Sequence, residues 1–353
     1  MPHTGFSKLK LMTQVDQIAI DEAVREAIQN IAVGPDRGRD ISRKMAHTVM
    51  SAILQGRVDE VQAAIFLIAL RMKRESLEEF SGLLDALIES SISMRSDIDD
   101  IVVLVDPFDG YSRTSTITPF VPAVLASLGL HTVVHGVETV GPKNGVTAHK
   151  VYKLAGAQTN YDPKSANAVL EGVGMCYVDQ SQYANSLFKL NNLRSKIIKR
   201  TAVTTLERVL VPVRGKKTTA LALGYVHKAY PQIYTQMAFQ SGFDQLVLMK
   251  GVEGGLAPAL NKPLRRFEFE SGCEFAEGDK QVLNTCFSDV TKQAALPLDP
   301  NLDPVKQTLD VGLKALSGAD SLATKSLVLA SANIVSGLNH SLSLDDAVEK
   351  VHC

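Results

Sequence analysis

Residues 105–156 read VDPFDGYSRTSTITPFVPAVLASLGLHTVVHGVETVGPKNGVTAHKVYKLAG. Two loops rich in Gly, Pro, Ser and Thr enclose an apolar run of helical length. Asp106, Asp109 and Gly110 stand in the first loop; His135, Gly136, Gly141, Lys143 and Gly145 stand in the second. The first loop follows Ile101–Val105 (IVVLV), a short apolar run of the kind that forms a buried parallel strand. Loops that close such strands, with backbone amides beside a few polar side chains, suit a phosphorylated ligand. Gly and Pro also serve ordinary strand-to-helix turns, so the pattern alone leaves both readings open.

Working outward, helical and strand patterns alternate. Pro119–Leu128 reads as a helix, His131–Val134 as a strand, Ala148–Leu154 and Ala166–Gly174 as helices, and MCYV after Gly174 as a strand. Ala220–Tyr225 and Gln245–Met249 read as strands around the helix Pro231–Ser241, and Phe267–Glu270 as a weak strand at a sheet edge. Pro304–Leu316, Leu322–Ser336 and Leu344–Val351 return to helical spacing. The alternation predicts an α/β fold with a mostly parallel sheet flanked by helices.

The first hundred residues read as a small helical domain. Asp40 is placed to cap a helix carrying Met45, Val49, Ala52 and Ile53 that ends at Gly56. Asp59, with Gln62 at capping-box spacing, opens a helix whose Val61, Ala64, Ile65, Ile68, Ala69 and Met72 form an apolar stripe. Ser76 and Glu79 make a second capping box before Phe80, Leu83, Leu84, Leu87 and Ile88. Such a unit either forms core within its own chain or packs against a second copy. The expected division is 1–98 helical and dimer-forming, 99–353 α/β, with room for a segment near 160–200 to return to the helical domain.

The chain has 353 residues, 45% hydrophobic, with a formal net charge of −1. That is the composition of a globular protein with about two core-forming units. Its four cysteines (Cys176, Cys273, Cys286, Cys353) are scattered without a CxxC pair, which argues against a disulfide framework or zinc site and suits the cytoplasm. The opening MPHTGFSKLKLMTQ lacks the apolar core of a signal peptide, and no 18-residue apolar window suggests a membrane span.

Charge is uneven along the chain. Residues 189–217 hold nine Lys or Arg and one acidic residue, a local excess of 9 − 1 = +8. Lys189, Arg194, Lys196, Lys199 and Arg200 begin on a helical pattern, with Arg208, Arg214, Lys216 and Lys217 following. Such a concentration is either an electrostatic footprint for a polyanion or a solvated face balanced by acids elsewhere. No aromatic residues interleave with it, so base stacking is not indicated.

The order of the two units, FLIALRMKRESLEEFSGLLDAL at 66–87 and LATKSLVLASANIVSG at 322–337 together resemble anthranilate phosphoribosyltransferase and its relatives in glycosyltransferase family 3. The similarity runs from about Asp40 to the end of the chain. It implies a helical domain joined to a larger domain of the anthranilate phosphoribosyltransferase / nucleoside phosphorylase type, and a homodimer through the N-terminal helices.

The motifs that carry the family's chemistry are matched in part. Its GTGGDG diphosphate loop stands here as VDPFDG, keeping Asp109 and Gly110. Pro107 has no amide hydrogen to offer a phosphate. The NIST element becomes STIT, with Thr118 retaining a hydroxyl; KHGN becomes VHGV, keeping His135 and Gly136; and SSKSG becomes GPKNG, keeping Lys143 and Gly145. The acidic pair that holds magnesium falls at Ala257 and Pro258, which lack the oxygen ligands a hard cation needs. The resemblance also matches Arg194, in KLNNLR, to an arginine that contacts the anthranilate acceptor.

Three readings follow. A divergent bacterial branch of the family keeps fold and dimer, lacks the transferase motifs and binds nucleic acid; this sequence is similar to that branch. The chain is then a binding protein for a phosphate-rich ligand, DNA or RNA, held by Lys189, Arg194, Lys196, Lys199, Arg200 and Arg208. Alternatively it transfers phosphoribose from phosphoribosyl diphosphate, with Mg, to anthranilate in tryptophan biosynthesis or to a related acceptor. Asp109 would then orient the ribose or the metal, Lys143 would hold the diphosphate and Arg194 the acceptor. Lastly, the cleft is vestigial, with His135 a core histidine.

Overall fold

The computed structural model describes residues 14–34, 37–285, 287 and 292–352. Cys286, Cys353 and most of the opening MPHTGFSKLKLMTQ lie outside these.

Four helices form the N-terminal unit: α1 (Gln14–Ile31), α2 (Arg43–Leu54), α3 (Glu60–Lys73) and α4 (Leu77–Glu89). Ser42, not Asp40, caps α2 by accepting from the Met45 amide at 3.2 Å, because the Asp40 carboxylate is drawn away to Lys73. Asp59 caps α3 through the Val61 and Gln62 amides at 2.9 and 3.4 Å. The Ser76/Glu79 capping box on α4 is complete, and Glu79 does more than cap. Fully buried, it accepts from the Ser76 amide (2.8 Å), the Ile41 amide (3.0 Å) and Lys73 Nζ (2.9 Å), fastening three segments together. Close packing of α2 on α4 requires Gly82, where a Cβ would stand 2.1 Å from the Arg43 carbonyl oxygen.

The expected apolar stripe of α3 forms core only in part: Ala64 and Ala69 pack against it half-buried. Ala63, Phe66, Leu67 and Leu70 are buried, while Val61, Ile65 and Met72 are 65%, 39% and 72% exposed. The helix is apolar almost all round, so both faces satisfied the helical period and the spacing did not decide which turned inward.

The second unit is built on a seven-stranded sheet. Its strands are β2 (Asp100–Val105), β3 (His131–Gly136), β4 (Met175–Asp179), β6 (Thr218–Tyr225), β7 (Gln245–Lys250), β8 (Leu264–Glu270) and β9 (Gln281–Leu283), in the order β4-β3-β2-β6-β7-β8-β9. The first five are parallel; at one end β8 pairs antiparallel with β7, and β9 antiparallel with β8. β8 is therefore longer than the sequence suggested and is not the edge, which β9 takes. At the centre, Val103 pairs with Val133 on one side and Leu221 on the other. A second, two-stranded sheet joins β1 (Met94–Arg95) to β5 (Val213–Arg214).

Helices cover both faces. One face packs against the helical unit, α7 (Pro163–Val173) and α12 (Tyr230–Gln240); the other packs against α5 (Val121–Ser127), α6 (Ala148–Leu154), α13 (Pro304–Leu316), α14 (Leu322–Leu338) and α15 (Leu344–His352). Between β4 and β5 the chain folds into short helices α8 (Gln180–Tyr183), α9 (Asn185–Phe188), α10 (Asn191–Ile197) and α11 (Val203–Leu206). These lean on the helical unit: the Ile92 amide donates to the Tyr183 carbonyl at 2.6 Å, and Lys196 pairs with Glu60 at 2.7 Å. The carboxyl ends of the central parallel strands consequently face a crevice beneath α3 and α4, the position where open α/β sheets bind ligands. No helix among the described residues is long and apolar enough to cross a membrane.

Candidate functional site: a cationic cleft with an aromatic wall

A cavity of about 340 Å³ occupies that crevice. Arg71 and Glu75 reach it from the end of α3 and the turn that follows. Pro107 and Arg113 come from the β2 loop, Lys143 from the β3 loop, Arg200 and Arg208 from the segment around α11, and Glu253 from the β7 loop. Tyr225, His227, Tyr230 and Tyr234 form one wall.

The glycines of the two opening loops zip the loops together. The Gly110 amide donates to Pro107 O (2.9 Å), the Gly145 amide to Asp109 O (2.9 Å), and Tyr111 and Val146 exchange amide bonds at 2.9 and 2.8 Å. A Cβ on Gly110, whose φ is +75°, would lie 2.6 Å from Val146 O, and one on Gly145 2.3 Å from Tyr111 O. Both residues are needed for close approach. Their amides, expected to face a phosphate, are spent on backbone pairing. Gly136 is a buried residue of β3 paired in register with Asp179.

Asp109 is fully buried, and the Arg200 guanidinium forks onto it: Nε to Oδ2 at 2.8 Å and Nη2 to Oδ1 at 2.9 Å. It therefore holds Arg200 in place and has no free oxygen for ribose or metal. Thr118 is buried beside Thr116 (3.2 Å), whose hydroxyl donates to Asp106 at 3.3 Å. Asp106 also accepts from Tyr111 OH (2.8 Å) and the Leu256 amide (3.3 Å); burial pushes its carboxyl up. Thr118 thus belongs to an internal network and does not reach the cleft.

His135 is a core histidine. Its Nδ1 lies 2.7 Å from Tyr183 OH and its ring meets Phe108 edge-on at 5.4 Å. Burial, aided by the Arg208 charge, pushes its pKa down to about 3. Lys143 remains at the cleft, donating to Gly110 O at 3.1 Å and to Glu253 Oε2 at 2.7 Å.

Much of the basic segment is committed within the fold, to carboxylates or to backbone carbonyls. Arg194 is buried, its two terminal nitrogens each 2.7 Å from Glu207, so it does not face an acceptor. Arg208 is also buried, donating to the carbonyls of Val105 (3.0 Å), Gly224 (3.0 Å) and Gly254 (3.1 Å) and to Tyr234 OH (2.8 Å). It fastens the ends of β2 and β6 to the β7 loop and stacks 5.3 Å from the Tyr234 ring. Arg214 donates to the carbonyls that end α12, Lys196 pairs with Glu60 and Lys217 with Asp99. Lys189 and Lys199 are exposed, and Arg200 is half-exposed at the cleft.

Arg71, Glu75, Arg113 and the aromatic wall were not singled out in the sequence. The signal for the wall was there: YVHKAYPQIY (225–234) holds three of the chain's eight tyrosines and a histidine. It sits far from the basic segment in sequence, and only the fold brings the two together. Glu75 carries no such signal. Its side chain is 3% exposed, Arg71 is 3.8 Å away, and Oε1 has no hydrogen-bond partner. Burial pushes its carboxyl up, against the pull of backbone hydrogen bonding and of Arg71.

The residues do not fit a bound magnesium ion. Ala257 and Pro258 offer no side-chain oxygen, and Asp109, Glu253 and Asp106 are committed to Arg200, to Lys143 and to internal donors. Among the described residues, no three His, Cys, Asp or Glu side chains gather where a metal ion could sit.

Residues 25–91 match the helical bundle domain of the glycosyl transferase family. The chain is 29% identical to an uncharacterized protein of Aquifex aeolicus over 65% of this chain and 68% of that one. It is 27% identical to the anthranilate phosphoribosyltransferase of Shewanella amazonensis over 50% of this chain and 51% of the enzyme. The fold superposes on anthranilate phosphoribosyltransferase from Saccharomyces cerevisiae in complex with PRPP and Mg with a TM-score of 0.67 at 14% identity, covering 94% of this chain and 93% of that one. The helical bundle and the mostly parallel sheet follow in the order of that fold; the chain carries the family's helical bundle domain and resembles the anthranilate phosphoribosyltransferases.

Proposed function

We propose that this protein uses the fold to bind a phosphate-bearing ligand in the interdomain cleft, with an altered donor site, and that the natural ligand is a nucleic-acid strand. The observation that carries this reading is the meeting of cations from four separate segments (Arg71, Arg113, Lys143 and Arg200) with an aromatic wall in one cavity. Phosphates are held by such cations, and bases of any identity stack on accessible rings, here His227 and the half-buried Tyr230. Exposed Lys199 adjoins Arg200 in the chain and adds to the positive charge there. The amides of Gly110 and Gly145, the carboxylates of Asp109 and Glu253 and the guanidinium of Arg194 are all spent internally, which argues against standard phosphoribosyl transfer.

The protein acts as a cytoplasmic homodimer in this reading, joined through the apolar face of α3, where Val61, Ile65 and Met72 are uncovered. Fluorescence anisotropy with a labelled single-stranded oligonucleotide tests the function. Binding should weaken steeply with salt as counterions return to the phosphates. Turnover of phosphoribosyl diphosphate and anthranilate with Mg would overturn it.

A further inference from the structure

Glu253 is held in an unusual seat. It sits in the turn after β7 with φ +50° and ψ 13°, a left-handed backbone that a residue with a Cβ seldom adopts. Its side chain is 2% exposed although it lines the cleft. Five donors converge on the carboxylate. Oε1 accepts from the amides of Arg113 and Thr114, both at 3.1 Å, and from Thr114 Oγ1 at 2.9 Å. Oε2 accepts from Lys143 Nζ at 2.7 Å and the Ser112 amide at 3.4 Å, and Arg113 Nε stands 3.9 Å away. Consecutive amides turned to one point, with a hydroxyl and two cations around them, make an anion-binding nest.

Resting on the reading that the cleft takes a phosphate-bearing ligand, we infer that this nest is a subsite for a terminal phosphate or diphosphate group and that Glu253 is its tethered, displaceable occupant. The carboxylate mimics the ligand: it neutralises Lys143 and Arg113 and satisfies the amides of 112–114 while the cleft is free. An incoming phosphate has one more terminal oxygen than a carboxylate and a larger charge, so it can take over all five donors. Glu253 must then swing out, releasing its left-handed turn. Occupation of the nest is thereby coupled to the 251–258 loop, which closes on itself through the Gly251–Pro258 bridge.

Glu253→Gly is the informative variant, because glycine suits φ +50° and leaves the nest open. Calorimetric titration with inorganic pyrophosphate should show Glu253→Gly binding about tenfold or more tightly than the wild type, the scale of charge-assisted hydrogen bonds freed from competition. Adding Lys143→Ala should abolish the gain. A folded Glu253→Gly protein with the affinity of the wild type would overturn the inference. If that variant does not fold, Glu253→Gln serves instead; a smaller gain is expected, and no change counts against the inference. An oligonucleotide arm separates this outcome from the broader reading. Tighter pyrophosphate binding without oligonucleotide binding keeps the plug and removes the nucleic acid. Equal oligonucleotide binding by both proteins, with no pyrophosphate gain, removes the plug alone.

Discussion

Arg200 forks onto the fully buried Asp109, with Nε and Nη2 at 2.8 and 2.9 Å from its two oxygens. The pair joins the β2 loop to the segment beside α11, so an acid that could have met a ligand instead aims a cation at the cleft. Arg200→Ala leaves a carboxylate buried and uncompensated. It should cost about 3 kcal/mol, the low end for such a break because Arg200 is half-exposed. Urea denaturation of Arg200→Ala, Asp109→Asn and the double variant provides the cycle. A cost for the double variant equal to the sum of the singles would show that the two side chains do not interact.

Arg194 and Glu207 form a second pair, buried on both sides. Arg194→Ala should destabilise the protein by about 3–5 kcal/mol. Ligand affinity of the folded fraction should change little, since Arg194 is turned away from the cleft. A stable Arg194→Ala protein with lost binding would restore the arginine to a ligand-contacting role.

His135 links stability to pH. Its pKa falls from an ordinary value near 6.5 to about 3 in the folded protein, because burial and the Arg208 charge both resist protonation. The unfolded chain takes up a proton below its ordinary value and the folded one does not. Stability from this residue is therefore full above that value and lost as pH falls toward 3, by about 1.4 kcal/mol per pH unit. Denaturation midpoints between pH 6.5 and 4 should fall more steeply for the wild type than for His135→Gln; parallel slopes would refute the assignment.

The uncovered face of α3 predicts a solution dimer. Met72 is 72% exposed, so Met72→Glu should leave monomer stability within about 0.5 kcal/mol, as for most surface substitutions. The charge should nevertheless shift sedimentation from dimer to monomer. A wild-type protein that sediments as a monomer at micromolar concentration would leave the face unexplained.

Much of the fold was legible because its strands are buried on both faces and its helices carry strong caps. IVVLV reads as β2, Ser76 and Glu79 mark the start of α4, and Ala148–Leu154 matches α6 residue for residue. Less could be read where a residue's partner is distant in sequence. Asp40 has the chemistry of a cap, but Lys73 claims it. The stripe of α3 has the right period on both faces. In the site, residue type suggested the chemistry but could not show whether it was free. Asp109, Arg194 and Arg208 look like ligand contacts until Arg200, Glu207 and three backbone carbonyls are found on them. The aromatic wall presents the opposite case, visible in YVHKAYPQIY but linked to the cations only by the packing of β6 and α12.

The most direct test of the binding role is one titration series: a labelled single-stranded oligonucleotide against the wild type at increasing salt, beside phosphoribosyl diphosphate, Mg and anthranilate. The expected result is oligonucleotide affinity that falls log-linearly with salt, a slope reduced by about 0.7 in Arg113→Ala, and no product from the second set. Salt-independent or absent oligonucleotide binding, with phosphoribosyl anthranilate formed, would contradict it.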